Sequence, residues 1–317
     1  MKKTFLTMTT SKPNSDILVS VICLTYNHSS FIRQCLDGFV MQETNFNYEV
    51  IIHDDASTDD TQDIIKEYAQ KYTDIFVPIL QKENQYSKHV QIGSTFIYPI
   101  CRGKYVAFCE GDDYWTDPLK LQRQVDFLES HPEYGLIHTQ AKEYIQQEGR
   151  FGRIIGKNVS SFEELLRKDT ICTLTVMVRR ELVAKYYEDI NPSQYNWKMG
   201  DYPIWLYCST KMKMHFLPEV TSVYRVLQSS MSHSLDPRKT LEFSHSIKDV
   251  KMFFANKEAL PIAYKNIIDG EMQTEEICIL LSISPKVAYD RLKQSNNITI
   301  KQKIYLYLKI LQKIILR

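Results

Sequence analysis

Residues 17 to 24 (ILVSVICL) form a nearly continuous apolar run that ends in the polar cluster Thr25-Tyr26-Asn27-His28. Apolar positions then return at helical spacing, at Phe31, Ile32, Cys35, Leu36, Phe39 and Val40, which predicts strand, loop and helix in that order. The pattern repeats. Residues 48 to 53 (YEVIIH) read as a strand, Asp54-Asp55-Ala56-Ser57 as a loop, and Ile64, Ile65, Tyr68, Ala69 and Tyr72 as the inner face of a helix. Ser57 and Asp60 have the spacing of a capping box for that helix. A third strand is predicted over 75–80 and a fourth over 105–108 (YVAF). Asp117-Pro118 then reads as N-cap and first residue of a helix that turns Leu121, Val125 and Leu128 inward. Fully apolar strands alternating with amphipathic helices predict an α/β fold, a mostly parallel sheet with helices on both faces. Ligands of such sheets collect at the carboxyl ends of the strands. The clusters TYNH, DDAS and EGDD all fall there, so three loops are expected to meet in one crevice.

The last of these clusters carries the chemistry. In CEGDDYW (109–115), Glu110, Asp112 and Asp113 leave a buried strand together, an oxygen-only donor set suited to Mn²⁺ or Mg²⁺ shared with substrate phosphates. An acidic turn without a ligand is the alternative.

The segments ILVSVICLTYNH, VIIHDDASTDDT and GKYVAFCEGDDYWTDPLKLQRQV, in this order, resemble the family-2 glycosyltransferases of the GT-A fold, over roughly residues 17 to 230. The resemblance implies transfer of a sugar from a nucleotide-diphosphate donor, usually a UDP-sugar, with inversion and a divalent metal. It also implies roles. Thr25, Tyr26 and Asn27 match the loop lying against the nucleobase, and Asp55 the carboxylate that accepts the uracil imide N–H, with Asp54 holding the loop. Asp112 matches the group reaching ribose or metal, and Asp113 the metal ligand. Glu110 stands where many relatives carry Asp. Tyr114 and Trp115 are pocket walls or core aromatics. Asp201, in MGDYPIWLYCS, resembles the late acidic motif that supplies the general base, and it is also a competent helix N-cap. Tyr224-Arg225 match a closing aromatic–Arg pair, with Arg225 offering a planar donor set for phosphate or a structural contact. Leu227 departs from a frequent His, and His233 is either its replacement as a metal or phosphate ligand or a solvated loop residue. In the 81–91 loop, Lys88 and His89 are weaker phosphate candidates than solvated charges.

Composition narrows the rest. Thirty-nine basic and 38 acidic side chains leave no net field, which argues against nucleic acid as a partner. Seven cysteines without a Cys-x-x-Cys make neither a disulfide framework nor a zinc site, and imply a reducing cytoplasm, with Cys23 and Cys109 as small buried residues. Residues 1–16 read as a flexible arm, 17–235 as the nucleotide-sugar domain and 236–317 as a helical region that Pro237, Pro261 and Pro285 divide into short helices. No run reaches the ~18 apolar residues of a membrane span. The tail KQKIYLYLKILQKIILR (301–317) has Lys301, Lys309, Lys313 and Arg317 on one row and Ile304, Leu308, Leu311 and Ile315 opposite. That is the pattern of an interfacial helix, or of a last helix packed on its own domain or on a second subunit. By resemblance, the acceptor is a glycan or lipid-linked sugar.

Two rival readings stay open. A nucleotidyltransferase would want a glycine-rich, basic phosphate loop after the first strand, which TYNHSS does not provide. A non-catalytic nucleotide-sugar-binding module would keep Asp55 and Asp113 without needing a base at Asp201.

Overall fold

The computed structural model describes residues 17–227 and 234–315. In chain order its main elements begin with β1 (Ile17–Thr25), α1 (Ile32–Val40), β2 (Asn47–Asp54), α2 (Thr61–Lys71) and β3 (Phe76–Leu80). They continue with β4 (Tyr105–Phe108), β5 (Tyr114–Trp115), α3 (Lys120–Ser130), β6 (Tyr134–Ile145), β7 (Arg150–Ile155), α4 (Phe162–Arg167) and β8 (Met177–Arg179). The chain closes with α5 (Arg180–Ile190), α6 (Tyr202–Lys211), β9 (Lys213–Val226), α7 (Pro237–Lys257), α8 (Ile262–Ile283), α9 (Pro285–Gln294) and α10 (Ile300–Ile315).

One sheet runs through the molecule in the order β3-β2-β1-β4-β8-β6-β9-β5, with β7 paired to β6. The expected parallel arrangement holds for β3, β2, β1 and β4, and again for β6 with β9. Antiparallel β8 joins the two halves. The strands are buried on both faces because adjacent residues feed different cores. Val21, Cys23, Val50, Ile52 and Ala107 pack against α1, α2 and α3, whereas Ile22, Ile51, Val106 and Phe108 pack against helices α4 to α8. A third apolar cluster, with Leu280, Leu292, Leu306 and Ile310, knits α8, α9 and α10 together.

Three local expectations need correction. Ser57 does not cap α2: its amide and hydroxyl both turn back to Asp54, and Asp59 instead accepts the Thr61 amide at 3.1 Å. Asp117 accepts the Leu119 amide at 3.0 Å, so α3 begins two residues past Pro118. Pro237, Pro261 and Pro285 stand at helix starts, where a missing N–H costs nothing, and α7 and α8 are long helices of 21 and 22 residues. Trp115 is core, its indole donating to the Leu174 carbonyl at 2.9 Å and its ring edge-on to Phe39.

Candidate active site

The three strand-end loops meet at Thr25. Its carbonyl accepts the Asp55 amide at 3.0 Å, and a methyl placed on Gly111 would come within 2.8 Å of its side chain. The Thr25 hydroxyl is buried and has no hydrogen-bond partner, and Tyr26 beside it is exposed. Asn27 adopts a left-handed φ of 55° and clamps the first loop to the second, accepting the Thr58 amide at 2.7 Å and donating its own amide to the Ser57 hydroxyl at 2.8 Å. The Asn27 side chain is therefore occupied in holding the two loops together.

In the second loop the two aspartates differ. Asp54 is fully buried and accepts from the Ser57 amide and from Gln62 Nε2, a loop-holding arrangement. Asp55, also buried, accepts the amides of Gln85 at 2.7 Å and Tyr86 at 3.0 Å, so the 81–91 loop is seated on this carboxylate. Lys88 is paired with Glu83 at the surface.

Glu110, Asp112 and Asp113 converge, with ligand oxygens within 4.8 Å of one another. Asp113 is buried and accepts the Arg225 amide at 2.7 Å, while Asp112 and Glu110 open outward. Burial, then the neighbouring Asp112, push the Asp113 carboxyl well above the usual range. Glu110 is an exposed side chain; partial desolvation by the surrounding loops, then the charges of Asp112 and Asp201, push its carboxyl above the usual range. None of the three has an ion-pair partner among the described residues. An all-oxygen set crowded in this way, with no cation of its own, fits Mg²⁺ or Mn²⁺.

Arg225 is held by contacts from several parts of the chain. Its guanidinium donates to the Asp112 carbonyl at 2.7 Å, to Gln146 Oε1 at 2.6 Å and to Gln34 Oε1 at 2.8 Å, and it lies over the rings of Phe31, Tyr114 and Tyr144. It is 6% exposed. These contacts make it a clamp on the acidic loop, with three of its five N–H donors engaged by protein oxygens. Leu227 is buried, and His233 lies outside the described residues.

Asp201 begins α6 and is its N-cap. One oxygen accepts the Tyr202 amide at 2.8 Å as an N-cap, and the other is held by the Thr173 hydroxyl. Its charge is felt at Glu110, so the two carboxylates lie near each other. Asp169, an exposed carboxylate, is near enough to feel the charge of Asp201. The sequence pattern does not single out Asp169, Thr173 or His28. His28 has a buried Nδ1 without a partner and faces Asp112, Asp59 and Asp54; burial lowers its pKa despite them. Its position in TYNH was the available signal, whereas Asp169 and Thr173 reach the site only through tertiary folding.

Comparison with known proteins agrees with this geometry. The glycosyl transferase family 2 model matches residues 20–186. An uncharacterized Mycobacterium tuberculosis protein is 37% identical over 231 residues, 71% of this chain, and the matched region spans 64% of that relative's length. The Escherichia coli UDP-Glc:α-D-GlcNAc-diphosphoundecaprenol β-1,3-glucosyltransferase WfaP is 28% identical over 217 residues, 68% of this chain and 80% of its own. The crystal structure of Staphylococcus aureus TarS 1–349 in complex with UDP-GlcNAc superposes with a TM-score of 0.58 at 19% identity, covering 94% of this chain and 81% of that one, which assigns the GT-A fold. With a loop-built acidic cleft at the strand ends and a matching family model over more than half its length, the chain belongs to glycosyl transferase family 2.

Proposed function

We propose that this protein is an inverting glycosyltransferase that moves a sugar from a UDP-sugar to a hydroxyl of a glycan or lipid-linked acceptor. The observation that supports the reading is the convergence of Glu110, Asp112 and Asp113 at the strand ends, with Asp201 near enough for its charge to act on Glu110. In a single displacement the acceptor oxygen forms a bond to the anomeric carbon while the bond to the diphosphate oxygen breaks, its electron pair leaving with the nucleotide. The attacking hydroxyl must shed its proton, and a carboxylate within reach is the group that takes it. Asp201 suits that role because the Thr173 hydroxyl and the Tyr202 amide fix its orientation and leave it further acceptor capacity. Asp55, set by the Gln85 and Tyr86 amides, has lone pairs left for the imide N–H of uracil, and Thr25 and Tyr26 border the same space. Asp112, Asp113 and Glu110 would hold the divalent cation, which when bound neutralises charge on the departing diphosphate. Asp113 is kept in place by the Arg225 amide, and the Arg225 side chain ties the acidic loop to α1 and to the turn after β6. A thermal-shift panel tests the reading. UDP and UDP-sugars with Mn²⁺ should raise the melting temperature more than GDP, CDP or any nucleotide without metal. Equal shifts for all nucleotides, or no dependence on metal, would contradict it.

A lipid-linked acceptor puts the protein against a membrane, at its cytoplasmic face. No described helix is long and apolar enough to cross a bilayer. Helix α10 supports peripheral contact instead. Leu306 and Ile310 pack into the third core, whereas Ile300, Ile304, Leu308 and Ile315 are 79, 57, 59 and 80% exposed along another face. Lys301 and Lys309 flank that face. Residues 284 to 315 hold seven Lys or Arg and one Asp, in a chain whose overall balance is +1. An apolar stripe edged by cations matches an anionic lipid surface.

A further inference from the structure

The loop that leads into Asp201 builds, with α7, a groove of about 640 Å³. Tyr195 and Trp197 stack on each other, ring centroids 4.5 Å apart and 9° from parallel, and Phe253 meets both edge-on at 5.0 and 5.3 Å. The Lys198 amide donates to the buried Ser246 hydroxyl at 2.8 Å, so the loop is fixed to α7 and the aromatic group is preformed. Glu242, His245 and Asp249 line the same groove from α7. Both carboxylates are exposed and have neither an ion pair nor a side-chain hydrogen bond among the described residues.

This lining selects a chemical class. Aromatic surface takes the C–H faces of a ring, and free carboxylates accept hydrogen bonds from hydroxyls, the mix of apolar wall and few oriented polar groups that defines a small-ligand site. Glu242 and Asp249 outnumber the one lysine of the lining, Lys198, which disfavours the doubly charged donor diphosphate here. The groove also lies on the acceptor side. Lys198 is three residues from Asp201, so even fully extended chain keeps them within about 11 Å.

We propose that this groove is a subsite for neutral sugar residues of the acceptor, those next to the residue whose hydroxyl reacts. The proposal rests on the transferase reading for its role, while its binding chemistry can be read separately. The test is saturation-transfer NMR with the full chain and a panel of chitobiose, maltotriose, cellotriose and laminaritriose, with heparin disaccharide as the anionic control. At least one neutral oligosaccharide should receive saturation from aromatic protons, and its affinity should fall tenfold or more in Trp197→Ala and in the surface variant Asp249→Asn. UDP-sugar binding and slow UDP release without acceptor should be unchanged in both. No binding by any neutral member, equal binding by the anionic control, or unchanged affinity in both variants would overturn the proposal. Absence of UDP-sugar binding in the wild type would instead sink the transferase reading and leave the groove's affinity standing.

Discussion

Replacing Lys120 by Met should stabilise this protein at neutral pH. Lys120 is 1% exposed, its Nζ lies 2.8 Å from Gln124 Oε1 and 4.3 Å above the Trp115 ring, and no carboxylate pairs with it among the described residues. Burial pushes its pKa from 10.5 down to about 7. The unfolded chain holds this proton up to pH 10.5, the folded chain only up to about 7, so folding is penalised below that interval and the penalty fades as pH rises through it. A shift of 3.5 units corresponds to about 5 kcal/mol at pH 7. Met has similar length and no charge, so it removes that cost. It also leaves Gln124 Oε1 without a donor, about 1–3 kcal/mol, and forfeits a cation–π contact of about 1–2 kcal/mol. The middle of that balance is a net gain of about 1–2 kcal/mol at pH 7, a rise of a few degrees in melting temperature, and it should vanish or reverse by pH 10. Paired denaturant melts of wild type and variant at pH 7 and pH 10 measure this. Destabilisation at pH 7, or the same difference at both pH values, would refute the idea that an unpaired buried ammonium is held at a cost.

Asp113→Asn should lower kcat on the order of 10²-fold while donor affinity changes little, because the acidic loop acts mainly on charge that develops as the diphosphate leaves; kinetics against direct UDP-sugar binding separate the two. His138 is fully buried, its ring nitrogens have no hydrogen bond of good geometry among the described residues, and burial lowers its pKa to about 4 despite a backbone contact with Thr139. Below pH 6.5 only the unfolded chain takes up its proton, so stability falls by about 3 kcal/mol between pH 6.5 and 4, and His138→Leu should flatten that acid limb in urea melts. Ile304→Ser with Leu308→Ser leaves the packed face of α10 intact, and in co-sedimentation it should abolish binding to phosphatidylglycerol vesicles with no loss of melting temperature.

The nucleotide half of the fold was legible because its strands are apolar on both faces and each ends in a polar cluster, a signal that survives without tertiary information. The order of the remaining strands was not: β8 has three residues, and β6 and β9 pair in parallel across a long stretch of intervening chain. Helix starts moved by two to four residues at Ser57 and Asp117 because several neighbouring carboxylates and hydroxyls compete for the same amides. Asp55, Asp112 and Asp113 stand at strand ends that the apolar runs mark, whereas Asp201 was singled out only through its resemblance to the family's late acidic motif. Arg225 could not be assigned its clamp role, since Gln34 and Gln146, which hold it, lie far away in the sequence. Lys120 was hidden for a related reason: nothing local says that a lysine beside Leu121 faces inward.

The most direct test of the cleft is Asp201→Asn. Asparagine keeps the N-cap and the size of the side chain but cannot take the proton of an attacking hydroxyl. Single-turnover transfer from a UDP-sugar to its glycan or lipid-linked acceptor should slow by about 10²–10⁴-fold, with UDP-sugar affinity and melting temperature preserved. Transfer at the wild-type rate would contradict the account.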